Sequence, residues 1–243
     1  MTAPGRQHVR LEGVANRGSP PCDVSSKARR GAVSRARGSV RATDVADVQY
    51  RGDIIAGALM VPESRVVADL LLRHVSAAEW QDAIVTQNVL KSRRRKMATR
   101  VARLIRGRLE TMDTALVKMV RDGKGTVATH ATLAAAVKHS RLLGDFLLLI
   151  VGEQYRQFGQ RLSNKLWDDY LDECMERDRT MPQWSESTRG RLRSSVFQSL
   201  AQAGYIENTR TLKLQTVHVS EQVLHYLRAH HEDYVLQCIQ VAP

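Results

Sequence analysis

The stretch 130–155 constrains the fold most. Leu133, Ala134, Val137, Leu142, Leu143, Phe146, Leu147 and Ile150 spread over most of its circumference at helical spacing. A helix that is apolar nearly all round is a buried one, so other elements must enclose it. The chain supplies candidates. Tyr50, Ile54, Ile55, Ala58 and Leu59 predict a helix over 50–60 that Pro62 breaks, and Val66, Val67, Leu70 and Leu71 mark one face of a helix over 63–74. Ser76 and Glu79 form a capping box for a helix over 77–90 that buries Trp80, Ile84 and Val85. A further helix starts at Thr114, and 122–125 is a turn. Thr129 caps the central helix, and Leu162, Leu166, Trp167, Tyr170 and Leu171 face inward from a helix over 161–177. Aromatic residues make up only 5% of the chain, so the core is built from aliphatic side chains, which suits packed helices.

After Pro182 the pattern changes. Ser185 or Ser187 can cap a helix to about Ala203 that buries Leu192, Val196, Phe197 and Leu200, with Gly204 as its stop. Tyr205 and Ile206 precede a polar turn over 207–210. Leu212 with Leu214 and Val217 with Val219 then alternate with period two, with a phase slip between the pairs that suggests a bulge or a second turn; this predicts short strands, and a last helix covers 221–231. Helix, glycine, strand, turn, strand is the layout of a winged helix-turn-helix. Other α+β domains also end in this way, so both readings stay open. The expected fold is mainly α: a helical bundle with a C-terminal helix and a small β-hairpin, winged-helix-like in layout. The expected organisation is a disordered basic leader over 1–46, an N-terminal bundle over 47–156 and a C-terminal helical domain over 157–243.

The formal net charge is +12. The first 45 residues hold nine Arg and Lys against three acids, with Gly, Ser and Pro between them and no apolar period. The densest charge lies at 91–108, where nine of eighteen residues are basic, none is acidic and Arg outnumbers Lys seven to two. Met97, Val101, Leu104, Ile105, Leu109 and Met112 follow helical period there. Arg93, Lys96, Arg100 and Arg103 form an adjacent stripe, with Arg94, Arg95 and Arg106 beside it. Like charges at these spacings destabilise an isolated helix, and a polyanion relieves the repulsion. Arginine is the better fork for phosphate. The candidate nucleic-acid-binding residues are therefore Arg93, Arg94, Arg95, Lys96, Arg100, Arg103 and Arg106. Arg189, Arg191, Arg193, Arg210 and Lys213 of the helix–hairpin segment form a second set.

Other motifs weigh less. Gly123-Lys-Gly-Thr126 lacks the earlier glycine of a phosphate loop, because Lys118 stands there. Asp168, Asp169, Asp172, Glu173 and Glu176 could hold Mg²⁺, but no Lys or His completes a nuclease site at readable spacing, and a solvated helix face is the plainer reading. Adjacent His230 and His231 point about 100° apart on a helix and cannot easily share an ion. Cys22, Cys174 and Cys238 are scattered, as free thiols in a reducing cytoplasm are. The longest strongly apolar run, 146–151, is far short of the roughly 20 residues of a membrane span. No catalytic residue, metal or cofactor is expected, nor a membrane.

Tyr50-Arg-Gly-Asp53, Leu59-Met-Val-Pro-Glu63-Ser-Arg65-Val-Val-Ala, Trp80, Asn88-Val-Leu-Lys-Ser92 and Ala102-Arg-Leu-Ile-Arg-Gly-Arg108-Leu resemble the BrxA family. So do Leu142-Leu-Gly-Asp-Phe146, the helix from Ser187-Thr188 to Leu200, and Gly204-Tyr-Ile. That family is a small component of BREX bacteriophage-defence systems. The resemblance covers about residues 48 to 230. It implies a helical protein with a NusB-like portion, double-stranded DNA as partner, and action beside other BREX components. It supplies no site residues. Two further functions stay open: an RNA-binding factor of NusB-like type, and a basic scaffold for assembly of a defence complex.

Overall fold

The computed structural model describes residues 49–241, and the leader expected over 1–46 lies outside them. The chain enters at Tyr50, which is buried. Its N–H donates to Asp178 at 2.9 Å and its hydroxyl donates to Asp145 at 2.8 Å. The helix expected over 50–60 is a single 3-10 turn, Asp53–Ala56. Gly52 and Gly57 flank that turn and Met60 adopts a left-handed conformation at φ 53°, so no longer run can form. Ile54, Ala58 and Leu59 are still buried.

Pro62 opens a helix instead of breaking one. It lies in the first turn of α1 (Val61–Leu72), where its missing N–H would have had no partner. The capping box forms as expected at α2 (Ala77–Gln81): Ser76 N–H donates to Glu79 at 2.7 Å and Glu79 N–H donates to Ser76 Oγ at 3.3 Å. A π-helical turn, Asp82–Thr86, follows, and the helix ends before Leu90 because Asn88 and Lys91 are left-handed. Next come α3 (Arg95–Leu109) and α4 (Thr114–Asp122), the latter capped by Asp113.

The central apolar stretch is two helices. In α5 (Thr126–His139), which starts after Gly125 and not at Thr129, residues 131–137 are buried without interruption. Ser140 then leaves helical geometry at φ −119° and ψ 98°, as a residue type that favours helix starts does. α6 (Arg141–Asp145), a π-helical segment (Phe146–Val151) and α7 (Gly152–Arg156) follow without a break. α8 (Asn164–Arg177) lays Trp167 and Tyr170 edge-on to Phe146, with ring centroids 5.1 and 5.3 Å away. α9 (Glu186–Ala203) has Ser185 as its N-cap and stops at Gly204, at φ 87°. α10 (Glu221–Ala229) is followed by α11 (Asp233–Ile239), a helix that the sequence pattern did not announce. Helices from both sides of the expected boundary near residue 156 pack on α5: α1, α3 and α4 before it, α9, α10 and α11 after it.

The expected hairpin is not a hairpin of strands. Among the described residues no strand forms; isolated antiparallel bridges join Ile206 to Leu214 and Arg161 to Lys213. Three short segments touch side by side where a winged helix needs a two-stranded ladder. Asn208 organises the turn by accepting the N–H groups of Arg210 and Thr211 at 2.9 and 2.8 Å. Asp145 joins distant parts of the fold. Its buried carboxylate accepts from the hydroxyls of Tyr50 and Tyr234 and pairs with Arg141 at 3.0 Å, which ties the chain entry, α6 and α11 together.

Candidate nucleic-acid interface

α3 exists because one of its faces is apolar. Ala98, Val101, Ala102, Leu104, Ile105 and Leu109 are buried, and Arg95, Lys96, Arg100, Arg103 and Arg106 stand on the exposed side. Arg93 and Arg94 precede the first turn, so the stripe expected to run along a helix from Arg93 begins on the helix only at Lys96. The loop before it is built. The Asn88 amide donates to the Ser92 carbonyl at 2.8 Å and accepts the Ser92 N–H at 3.0 Å, a clasp that sets the direction in which Arg93 and Arg94 leave.

Among the described residues, no ion pair or side-chain hydrogen bond engages the charged groups of Arg93, Arg94, Arg95, Lys96, Arg100 or Arg103, and all six are exposed. No acid stands in the first turn of α3 and no side chain caps it. The positive end of the helix dipole therefore adds to these charges. Among the described residues, nothing in this part of the surface offsets the repulsion.

Three members of the basic run behave differently from the rest. Arg106 pairs with Glu110 at 2.6 Å and lies over the Trp80 ring, 4.9 Å from its centroid. Arg108 is only 2% exposed and donates to the carbonyls of Ala58 at 2.6 Å and Gly57 at 3.1 Å. Burial lowers its pKa to about 10, so it stays charged at neutral pH. Met97, expected beneath the stripe, is 49% exposed. It has the phase of the apolar face but stands in the first turn, one residue before the fully buried Ala98, where the core has ended. The burial of Arg108 was legible, since it follows Val101 by seven residues and Leu104 by four and so shares the apolar phase. The exposure of Met97 had no such signal.

The second set is divided. Arg189 donates to Asp172 at 2.8 Å and to the Asp168 carbonyl at 3.2 Å, and Arg193 pairs with Asp168 at 3.2 Å. These two arginines bind α9 to α8. Arg191, Arg210 and Lys213 are exposed. The same contacts account for the acidic face of α8. Asp168 and Asp172 serve α9, Asp169 pairs with Lys165 at 3.0 Å, and Glu173 pairs with Arg177 at 2.8 Å. Among the described residues no cluster of three potential metal ligands exists. His230 stacks on Tyr226 and faces Asp113 at 3.1 Å. Cys174 and Cys238 are free and buried, and burial raises both thiols, to about 11 and about 12. No helix among the described residues is long and apolar enough to cross a membrane.

The sequence model of the BrxA family matches residues 48–231. The chain belongs to the BrxA family. A BREX protein BrxA from Paramagnetospirillum magneticum is 46% identical over 198 residues, which is 82% of this chain and all of that protein. A BREX protein BrxA from Escherichia coli O9:H4 is 31% identical over 173 residues, 71% of this chain and 81% of that one. The crystal structure of an uncharacterized protein from Magnetospirillum magneticum superposes with a TM-score of 0.75 at 46% identity, covering 80% of this chain and all of that one. Membership of the BrxA family supports a role in BREX phage defence. The family match spans α1 to α10 and therefore includes the whole basic segment 91–108.

Proposed function

We propose that this protein is a non-catalytic accessory component of a BREX system that binds double-stranded DNA through α3 and the loop before it, alongside other BREX components. One observation carries the reading: six exposed cations without an acidic partner among the described residues, four on a helix whose other face is locked into the core and two in the segment that leads into it. Residues 96–103 rise about 10 Å along the helix at 1.5 Å each. Phosphates along one strand lie roughly 7 Å apart, so Lys96, Arg100 and Arg103, with Arg93 from the loop, can meet two or three of them. Such contacts set position and affinity and read no sequence by themselves.

The test is the Arg100→Ala/Arg103→Ala double variant, titrated with labelled duplex over a salt series. Alanine is the best helix former and both side chains are exposed, so the fold should persist. Affinity should fall on every duplex, and the slope of log affinity against log salt should become shallower by about one to two. Unchanged affinity and slope would remove α3 from the interface and move it to Arg191, Arg210 and Lys213. Tighter binding of structured RNA than of duplex would favour the RNA-binding function, and no binding to either would favour a scaffold.

A further inference from the structure

Every third residue from Arg94 to Arg106 is an arginine except one: Arg94, Met97, Arg100, Arg103, Arg106. Residues three apart on a helix form one surface ridge. The exception, though apolar, is exposed like the rest of the row. Among the described residues only Met97 and Phe158 are large apolar side chains with strong exposure, and Met97 has Arg100 beside it on the ridge, Arg94 at the N-cap before the helix and Lys96 before it in sequence. An apolar group half in solvent within a cationic row leaves about half of its surface unburied by the fold. Ala98 already closes the core beneath it.

Resting on the reading of α3 as a duplex-binding helix, we infer that Met97 contacts the 5-methyl groups of thymine in the major groove. An α-helix with its side chains is about 10–12 Å across, which fits the roughly 12 Å major groove and not the roughly 6 Å minor groove. With cations on either side of Met97 held by phosphates, the side chain between them faces the groove floor. The apolar group displayed there is the thymine methyl, and every other feature of the base edges is a hydrogen-bond donor or acceptor. The thioether is flexible and polarisable, and can follow a methyl group without fixed geometry. The row would then combine phosphate clamps with one base contact and give an otherwise sequence-blind surface a preference for thymine-bearing sites.

The experiment compares wild type, Met97→Ala and Met97→Leu on two duplexes of one sequence, one with thymine and one with uracil replacing every thymine. Uracil removes the methyl and leaves the phosphate charge unchanged. On the thymine duplex Met97→Ala should bind about five-fold more weakly, the effect of leaving half a methionine side chain uncovered, with the salt slope unchanged. Met97→Leu should recover most of the loss. On the uracil duplex wild type should drop to the level of Met97→Ala, and the substitution should cost nothing further. Equal loss on both duplexes, or no loss on either, would overturn the inference. Arg100→Ala/Arg103→Ala separates this failure from that of the underlying reading: if it binds with a shallower salt slope while Met97→Ala binds as wild type, DNA binding stands and the thymine contact falls. If wild type does not bind duplex at all, both fall. Helical circular dichroism confirms folding of each variant, which the exposure of Met97 leads one to expect.

Discussion

Arg108 should separate structure from binding inside one basic run. Its guanidinium is buried and holds the carbonyls of Gly57 and Ala58, the backbone that leads into α1. In Arg108→Ala two charge-assisted hydrogen bonds disappear, each worth about 1.5–3 kcal/mol. Two carbonyls lose their donor, and a cavity remains. Against this, a desolvated charge is relieved, which returns part of the loss. The net destabilisation should be about 3 kcal/mol. For a domain of this size each kcal/mol lowers the midpoint by about 2–4 °C, so the melting temperature should fall by about 6–12 °C. Arg108→Lys keeps the charge but loses the fork that spans two carbonyls, and should recover less than half. Thermal melting and duplex binding over a salt series, measured on the same preparations, give opposite signatures. Arg108→Ala should melt early yet keep the wild-type salt slope, while Arg100→Ala/Arg103→Ala should melt as wild type and bind with a shallower slope. An unchanged midpoint for Arg108→Ala, or a slope as shallow as that of the double variant, would refute this division.

Gly204→Ala should cost about 1–2 kcal/mol, because Gly204 is left-handed at φ 87°; the nearest atom to an added Cβ, on Val217, is 3.9 Å away, so the cost is conformational and not steric. A midpoint within error of wild type would contradict this. Purified protein with Mg²⁺ or Mn²⁺ should leave plasmid DNA intact, and cleavage abolished by Asp169→Ala or Asp172→Ala would overturn the non-catalytic reading. Burial holds the His130 imidazole below its ordinary range, and its Nδ1 accepts the Ser220 N–H at 2.9 Å, which only the neutral ring can do. The unfolded chain takes up that proton near pH 6.5 and the folded chain at lower pH, so stability is full above about pH 6.5 and declines as pH falls through that window. His139 is lowered in the same direction, so the measure is the difference between wild type and His130→Asn, whose midpoint should change less between about pH 8 and about pH 5.

Sequence periodicity located helices well where one face is long and apolar, and badly where the backbone decides. α8 and α9 lie near their expected bounds because their buried residues recur over several turns and their caps, Ser163 and Ser185, are of the right type. The segment 50–60 has a helical apolar pattern and buries most of it, but its two glycines and the left-handed Met60 forbid a helix. Apolar spacing reports which residues are inside, not which conformation takes them there. The break at Ser140 was hidden for the converse reason. A segment apolar on every side has no phase, so apolar spacing does not mark the place where one helix ends and another begins; only Ser140, of a type that favours helix starts, does. The strands expected after Gly204 alternate in two short pairs on either side of a phase slip, and a ladder needs a longer run with a partner of equal length. Here the neighbours over 160–162 and 205–207 offer only isolated bridges.

The candidate surface was legible as a charge density and not as a set of residues. All twelve candidate cations lie outside the core, but their availability depends on what stands opposite them. Arg189 and Arg193 share a helix with Arg191 and differ from it only in phase. That phase turns them toward Asp172 and Asp168 across the α8–α9 contact and leaves Arg191 in solvent. No local pattern states which two helices will meet, so no local pattern could sort the three. In α3 the sorting goes further, because absence of acids within 91–108 leaves its cations dependent on partners from elsewhere. Glu110 reaches back to Arg106 and no described acid reaches Lys96, Arg100 or Arg103. A surface with uncompensated charge on a rigid helix has a standing electrostatic cost, and that cost falls when a polyanion docks. The residues worth testing first are therefore those the fold leaves unmatched, not those that are merely basic.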